Sequence, residues 1–167
     1  MVLGFSSGLP LFLLINLLPA WLKSGGVSLA AIGGFALVQL PYAWKFLWSP
    51  LVDRYAFAGL GRRRSWMLAS QALLVASIAA LGMLDPASQV REVAFAALAV
   101  ALLSATQDIA IDAYRREILR EGELGLGNAV FVNAYKVAGL VPGSLSLVLA
   151  DHLPWAQVFA VTAAFLV

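Results

Sequence analysis

The sequence predicts an all-α protein built into a membrane, and three observations support this fold class. Of the 167 residues, 62% are hydrophobic, only 12% are charged, and the mean hydropathy is +0.88. An average soluble domain is about 45–50% apolar and about 25% charged, so the apolar excess is too large for an ordinary core. The apolar residues also form long continuous runs, which excludes the alternating strands of a membrane barrel.

Six helical segments are predicted from these runs and from the turns between them. A helix needs about 20 residues to cross a bilayer, and five of the segments reach that length. The sixth would be only about 20 Å long, against a hydrocarbon core of about 30 Å. The first helix also starts without a polar lead, so we expect the chain to be a fragment of a twelve-helix protein, clipped at both ends. The predicted helices cover residues 2–22, 29–49, 66–84, 92–114, 125–149 and 155–167.

Basic residues are concentrated in the loops after the second and fourth predicted helices. These two loops hold seven arginines, whereas the loops on the other side hold only Lys23 and Arg91. Loops rich in Lys and Arg remain on the cytoplasmic side, so we predict a multi-pass protein with a cytoplasmic N-terminus. The net charge of +2 therefore reports topology and not nucleic-acid binding. The seven residues are Arg54, Arg62, Arg63, Arg64, Arg115, Arg116 and Arg120.

The stretch from Ser104 to Arg116 places acidic side chains at a depth where a membrane helix is normally apolar. Asp108 and Asp112 are four residues apart and share one helical face. A carboxylate in lipid costs at least about 2.5–3.5 kcal/mol, so it normally faces a protein interior or a wet cavity. We therefore expect this helix to line a polar pathway.

Two lysines lie within predicted membrane helices. Lys45 lies at about the depth of Asp108, and it either extends to the membrane surface or pairs with that carboxylate. Lys136 lies near the bilayer midplane, which is too deep for easy access to the surface. It is expected to be either the counter-ion of Asp108 or a cation that holds an anionic substrate.

Four stretches of the chain carry a resemblance to a known family. They are Gly-Phe-Ser-Ser-Gly-Leu-Pro at 4–10, Lys-Phe-Leu-Trp-Ser-Pro-Leu at 45–51 with Asp-Arg-Tyr at 53–55, Gly-Arg-Arg-Arg at 61–64, and Ser-Ala-Thr-Gln-Asp at 104–108 with Asp112. Together they resemble the N-terminal half of a major facilitator superfamily transporter. More narrowly, they resemble the AmpG-like muropeptide permeases, which share a branch with acetyl-coenzyme A transporters. The superfamily pattern is Asp-Arg-x-Gly-Arg, whereas residues 55–60 separate Arg54 from Gly61 here.

The resemblance covers essentially the whole chain and implies a fold and a function. The fold is the N-terminal six-helix half of a 6+6 bundle made of inverted three-helix repeats, with the sixth helix incomplete. The function is proton-coupled import of anhydromuropeptides across the inner membrane for peptidoglycan recycling. The implied partners are the lipid bilayer, a small sugar–peptide substrate, protons and a missing C-terminal half. No cofactor, metal ion or enzymatic activity is expected.

The polar residues in the helices suit this chemistry and form three candidate groups. Hydroxyls, amides and carboxylates of a sugar–peptide would be bound by neutral hydrogen-bonding groups and one cation. Proton coupling needs a carboxyl group that changes protonation, with a lysine nearby. A charge latch between helix ends would break and re-form during transport. The substrate-binding candidates are Asn16, Gln39, Asn133, Tyr135 and Lys136; the proton-coupling candidates are Asp108, Lys45 and Asp112; the latch candidates are Asp53, Arg54, Arg62 and Arg63, acting on helix ends such as Asp112.

Three alternatives are compatible with some of these features. The chain could belong to a transporter of the same fold for another anionic substrate, such as acetyl-coenzyme A. It could be a truncated half without function. An intramembrane enzyme that uses Asp108 and Asp112 as a dyad is disfavoured, because two carboxyls on one helix splay apart and a dyad needs them to converge on a shared proton.

Overall fold

The computed structural model describes residues 1–55 and 61–166, and all regular elements within these ranges are helical. Residues 56–60 and Val167 lie outside the described residues. The predictions about the spacing between Arg54 and Gly61 and about the end of the sixth helix concern these residues. The helical segments are α1 (Val2–Ser24), α2 (residues 29–54), α3 (Arg62–Leu81), α4 (Val90–Ile118), α5 (Glu121–Ala150) and α6 (Trp155–Ala164).

Four of the helices in residues 1–55 and 61–166 are long and apolar enough to cross a membrane, namely α1, α3, α4 and α5. The second segment, predicted as one helix over residues 29–49, is instead interrupted and continues to Arg54. Its α-helical pieces are separated by 3₁₀ turns at Phe35–Gln39 and Lys45–Leu47. Pro41 and Pro50 lie in the first turns of new α-helical pieces, because proline lacks an N–H group and is tolerated at that position.

The arginines predicted to lie in loops are largely helical. Gly61 has a φ of +86°, which glycine adopts without strain, and α3 begins directly after it at Arg62 rather than near residue 66. The helix α4 begins at Val90 and continues to Ile118, four residues beyond the predicted end at residue 114. Arg and Glu are good helix formers, so nothing between Tyr114 and Ile118 stops the helix.

The central helix of the bundle is α1, which packs against α5 on one side and α4 on another. Its residues Leu9, Leu13 and Leu17 are fully buried. The helix α3 lies along α4, and α6 packs against α3 and the last turns of α5. Trp21 of α1 meets Phe159 of α6 edge to face, with 4.9 Å between the ring centroids.

Turns from different parts of the chain meet at the two ends of the bundle. Gly25, after α1, lies against Pro86 in the turn between α3 and α4. At the opposite end, Arg63 of α3 is hydrogen bonded to Glu117 of α4. We call this second end, which carries Arg62–Arg64 and Arg115–Arg116, the arginine-rich end.

The contact between α1 and α5 depends on glycine. A Cβ atom at Gly8 would lie 2.5 Å from the carbonyl oxygen of Tyr135, and one at Gly4 would overlap the carbonyl oxygen of Phe131. These obstacles are backbone atoms, so they cannot move away as a flexible side chain can. Small residues are the usual means by which membrane helices approach closely.

Replacing Gly8 with Ala is expected to destabilise the bundle by about 1–3 kcal/mol, because α1 and α5 must separate to accommodate the methyl group. The matched control is Gly33→Ala in α2, where an added Cβ would meet no atom within 4 Å. Thermal unfolding of the purified protein in detergent measures both variants. Equal midpoints for the two would show that the close approach of α1 and α5 contributes nothing to stability.

Candidate functional site

Asp108 lies at the junction of several helices. The hydroxyl of Ser7 in α1 donates a hydrogen bond of 2.5 Å to Oδ1 of Asp108 in α4, although the two residues are 101 positions apart in the chain. Ser7 is only 3% exposed, so this bond lies in the interior of the bundle. The charged neighbours of the carboxylate are Lys45 and Asp112. Ser7 was not predicted as a site residue, because a serine in an apolar helix most often serves packing.

Lys45 pairs with Asp112 and not with Asp108. Its Nζ atom lies 3.7 Å from Oδ2 of Asp112, and both side chains are partly exposed. The predicted ion pair between Lys45 and Asp108 is therefore wrong. Asp108 accepts a hydrogen bond from Ser7, and Lys45 pairs with Asp112, which lies one turn nearer the end of α4. Asp112 is also contacted by Arg115 at 3.3 Å.

Two further hydroxyl groups lie close to Asp108. Tyr42 of α2 and Ser104 of α4 are neighbours of each other, and Asp108 lies near Tyr42. The oxygen atoms of both hydroxyls are buried, and apart from their closeness to each other neither forms a hydrogen bond of normal geometry among the residues that the structure describes. Ser104 precedes Asp108 by one turn on the same helical face. The spacing of Asp108 and Asp112 was the sequence signal for this face of α4, whereas nothing in the spacing argument singled out Ser104 or Tyr42.

The charges at the arginine-rich end form a separate network. The guanidinium of Arg63 bridges two carboxylates: Nε donates to Glu117 over 2.9 Å, and Nη1 donates to Asp53. The latch was predicted to act on Asp112, but its partner on α4 is Glu117, because α4 continues as a helix past residue 114 and carries Glu117 to Arg63. Within residues 1–55 and 61–166, Arg54 and Arg62 form no ion pair.

A cavity of about 490 Å³ connects the two charge networks. It is lined on one side by Lys45 and Asp112, and on the other by Asp53, Arg63 and Glu117. The polar groups therefore continue from the arginine-rich end towards Asp108.

The five substrate-binding candidates do not converge in the described part of the chain, where no hydrogen bond joins any two of them. Asn133 donates to the carbonyl of Ala129 on its own helix over 2.8 Å. Tyr135 is half-buried and meets Phe12 edge to face at 5.4 Å. Asn16 and Gln39 are half-buried on α1 and α2.

Lys136 points away from the bundle. Ala134 and Ala138 are buried, and Lys136 is two residues from each, so it lies about 200° around the helix from them. It is exposed and forms no ion pair with any residue in the ranges described. Of the two roles predicted for Lys136, that of counter-ion of Asp108 is therefore wrong, because Lys136 lies on the exposed face of α5 and Asp108 lies in the interior of the bundle on α4.

Both α1 and α5 contain one π-helical turn, at Leu13–Leu17 and at Val141–Leu145, and the two turns contact each other. Pro10 precedes the first and Pro142 lies within the second, which suits the loss of a regular hydrogen bond at proline. A Cβ atom added at Gly143 would lie 3.0 Å from the Nδ2 atom of Asn16. The side chain of Asn16 therefore contacts the π-helical turn of α5, and this contact could not be predicted from the sequence.

A second buried polar chain links α4, α3 and the end of the described residues. Gln107 is 2% exposed, and its amide nitrogen donates to the amide oxygen of Gln71. The amide nitrogen of Gln71 donates in turn to the carbonyl oxygen of Leu166. In the sequence, Gln107 belongs to the Ser-Ala-Thr-Gln-Asp stretch at 104–108, and its contact with Gln71 is known only from the fold.

The fold and these interior charges define the class of the protein. Several helices are long and apolar enough to span a membrane, and the bundle carries Asp108 in its interior and the partly exposed pair Lys45–Asp112 one turn away. Ionisable groups at such depths mark ion and substrate pathways. In the part of the chain that the structure describes, no three His, Cys, Asp or Glu side chains are grouped to hold a metal ion. The arrangement is typical of multi-pass membrane proteins of the transporter class.

Comparison with known proteins places the chain within this class. The family described as "Acetyl-coenzyme A transporter 1" matches residues 1–140. The chain is 55% identical over 160 residues to an uncharacterized protein of Haemophilus influenzae, and this match covers 96% of this chain and 38% of that protein. It is 46% identical over 168 residues to the anhydromuropeptide permease of Escherichia coli K12, and this match covers 100% of this chain and 34% of the permease.

The chain belongs to the acetyl-coenzyme A transporter and AmpG family of the major facilitator superfamily. The predicted fold class, an all-α membrane protein that forms part of a major facilitator half, is confirmed, and so is the expectation of a transporter rather than an enzyme. The chain spans somewhat more than a third of the length of the curated relatives it matches.

Proposed function

We propose that this chain forms part of a proton-coupled importer of anhydromuropeptides in the inner (plasma) membrane, with its N-terminus in the cytoplasm. The observation that carries the proposal is the 46% identity, over the whole chain, to the anhydromuropeptide permease of E. coli. The orientation is supported by the seven arginines in the loops after the second and fourth predicted helices, since such loops remain cytoplasmic.

Proton coupling is supported by the surroundings of Asp108. The carboxylate accepts a hydrogen bond from a buried serine, and its charge is balanced only indirectly, by a lysine that pairs with Asp112. A carboxyl group between an apolar interior and a nearby cation can take either protonation state as its surroundings change. Lys45 and Asp112 are proposed to adjust the charge around Asp108 during transport.

Substrate binding is proposed for the exposed face of α5 together with the half-buried polar groups of α1 and α2. Lys136 and Asn133 both lie on the exposed side of α5. A lysine near the bilayer midplane is unfavourable in lipid, so this side is proposed to line the substrate pathway. Lys136 would bind a peptide carboxylate, while Asn16, Gln39 and Tyr135 would bind amides and hydroxyls of the sugar–peptide.

The latch is proposed to consist of Asp53 and Arg63 with Glu117 as the partner on α4. Arg63 holds the end of α2 to the end of α4 through two carboxylates. Breaking this bridge would let the two helix ends separate, and re-forming it would hold them together. Arg54 and Arg62 would contribute positive charge to the same end.

A second candidate substrate is acetyl-coenzyme A, because the matching family is described by that transport activity. The shared chemistry is an anionic, polar solute that Lys136 could bind. The two candidates differ in the sugar–peptide, which only the muropeptide contains, and in the nucleotide, which only the coenzyme contains.

Uptake into proteoliposomes tests the proposal with the complete protein that carries residues 1–167. Labelled anhydromuropeptide is expected to accumulate only with an imposed proton gradient, and unlabelled anhydromuropeptide, but not acetyl-coenzyme A, should compete. Competition by acetyl-coenzyme A alone would establish the second candidate. Residues 1–167 reconstituted alone provide the test for a half without function.

The variant Lys136→Ala in the same assay is expected to lower uptake about tenfold at low substrate, since a hydrogen bond to a charged group contributes roughly that factor. Lys23→Ala, in the last turn of α1, removes the same charge outside the proposed pathway and should transport normally. Normal uptake by Lys136→Ala would remove this lysine from the substrate site.

A further inference from the structure

Asp108 is surrounded by hydroxyl groups from three helices, and only one of them bonds to it. Ser7 donates to its carboxylate, whereas the buried hydroxyls of Tyr42 and Ser104 form no hydrogen bond of normal geometry among the described residues, although they lie within reach of each other. Buried polar atoms are normally hydrogen bonded, so two neighbouring hydroxyls without partners beside a titratable group require an explanation.

The two protonation states of a carboxyl group need different partners. An ionised carboxylate only accepts hydrogen bonds, and the donation from Ser7 suits that state. A protonated carboxyl group has one O–H bond, which needs an acceptor. A hydroxyl group offers two lone pairs and can accept that bond while donating its own hydrogen to another oxygen.

The position of Ser104 and Tyr42 suits the second state. Ser104 lies one turn before Asp108 on the same face of α4, which places such side chains about 5–6 Å apart at Cβ. Tyr42 reaches the pair from α2 and lies beside Ser104. Asp108 could therefore donate to the Tyr42 oxygen, and Tyr42 could donate onward to Ser104.

We propose that Ser7 and the Tyr42–Ser104 pair are positioning residues that serve the two protonation states of Asp108 in turn. Ser7 donates to the ionised carboxylate. When a proton from water binds a carboxylate oxygen, the new O–H group donates to the Tyr42 hydroxyl, and the proton returns to water when that O–H bond breaks. This role deepens the proposed proton coupling and rests on it.

Three other titratable groups lie near Asp108 among the described residues. Lys45 comes from α2, Tyr135 from α5, and Asp112 from the next turn of α4 itself. They remain in place in variants that remove only a hydroxyl group. A difference between such variants therefore reports the hydroxyls and not these charges.

Infrared titration tests the proposal on the complete protein in lipid, without any substrate. The carboxyl band that disappears in Asp108→Asn is followed against pH. In Ser7→Ala the pH of half-protonation is expected to rise by about one unit, because the donor to the ionised form is lost. In Tyr42→Phe it is expected to fall by about half a unit, because the acceptor for the protonated form is lost.

Two further variants separate this role from a structural one. Ser104→Ala should shift the titration in the same direction as Tyr42→Phe, and Ser7→Thr, which keeps a hydroxyl, should restore the original midpoint. The matched control is Ser70→Ala, whose hydroxyl is buried on α3 and bonds to the carbonyl of Trp66 on its own helix. It should leave the titration unchanged.

The inference is overturned if Ser7→Ala and Tyr42→Phe shift the midpoint in the same direction, or if neither shifts it. It is also overturned if no carboxyl band depends on Asp108. The uptake assay distinguishes these failures from a failure of the proposed function, because opposite infrared shifts without proton-driven uptake would leave the positioning role intact and refute the transport proposal.

Discussion

Replacing Asp108 with Asn is expected to abolish proton-driven uptake by the complete protein, with at least a 100-fold loss. The asparagine is nearly the same size and can still accept the hydrogen bond from Ser7, so the packing of α1 on α4 should persist. What it cannot do is bind and release a proton. Uptake of labelled substrate with an imposed proton gradient measures the effect, and the amount of folded protein in the membrane is measured in parallel.

The control for this substitution is Asp85→Asn in the turn between α3 and α4. Asp85 is an exposed carboxylate whose pKa is lowered by a hydrogen bond from the Ser88 hydroxyl and another from the Ala87 N–H group. It is far from Asp108 at the opposite end of the bundle from the arginine-rich end, so uptake should be unchanged. Proton-driven uptake by Asp108→Asn at the wild-type rate would remove Asp108 from the coupling mechanism.

Replacing Arg63 with Ala is expected to lower the uptake rate about tenfold or more and to destabilise the protein by about 1–3 kcal/mol. The Arg63 side chain is only 13% exposed and is the shared cation of Asp53 and Glu117. Its loss leaves two carboxylates near each other without a cation. The expected loss of stability lies between that for breaking an exposed ion pair and that for breaking a buried one. Uptake and unfolding in detergent are measured on the same preparations.

Arg62→Ala is the matched control, since it removes the same charge from the preceding residue, which forms no ion pair in the described ranges. Arg63→Lys should recover only part of the activity, because a lysine has a single charged nitrogen where the guanidinium contacts the two carboxylates through separate nitrogens. If Arg62→Ala and Arg63→Ala were equally impaired, the effect would be one of total charge and not of the bridge.

The class of protein could be predicted from the sequence because lipid imposes simple requirements. Long apolar runs must form helices in a membrane, and carboxylates within them must avoid hydrocarbon, so Asp108 and Asp112 stood out from composition alone. The arginines after the second and fourth predicted helices predict a cytoplasmic N-terminus for a similar reason. These are properties of single segments, and they need no knowledge of which helices are neighbours.

Some local features were mispredicted where two backbone preferences compete. The second helix was expected to be continuous, yet Pro41 and Pro50 each begin a new helical piece, and the segment is interrupted by 3₁₀ turns. The fourth helix was expected to stop at its arginines, but charged residues are also good helix formers. Its extra turn carries Glu117 to Arg63 and changes the partner of the proposed latch.

The amino-acid sequence by itself determined the membrane class, the positions of most helices, the family and the set of charged residues within the helices, because each follows from hydropathy or from local pattern. Only the tertiary structure decided how the polar groups are arranged: Lys45 pairs with Asp112, Ser7 pairs with Asp108, and Lys136 lies on the exposed face of α5. The physical reason is range. Hydrogen bonds and ion pairs form only within about 4 Å, and which side chains come that close depends on how helices far apart in the chain pack and rotate against one another.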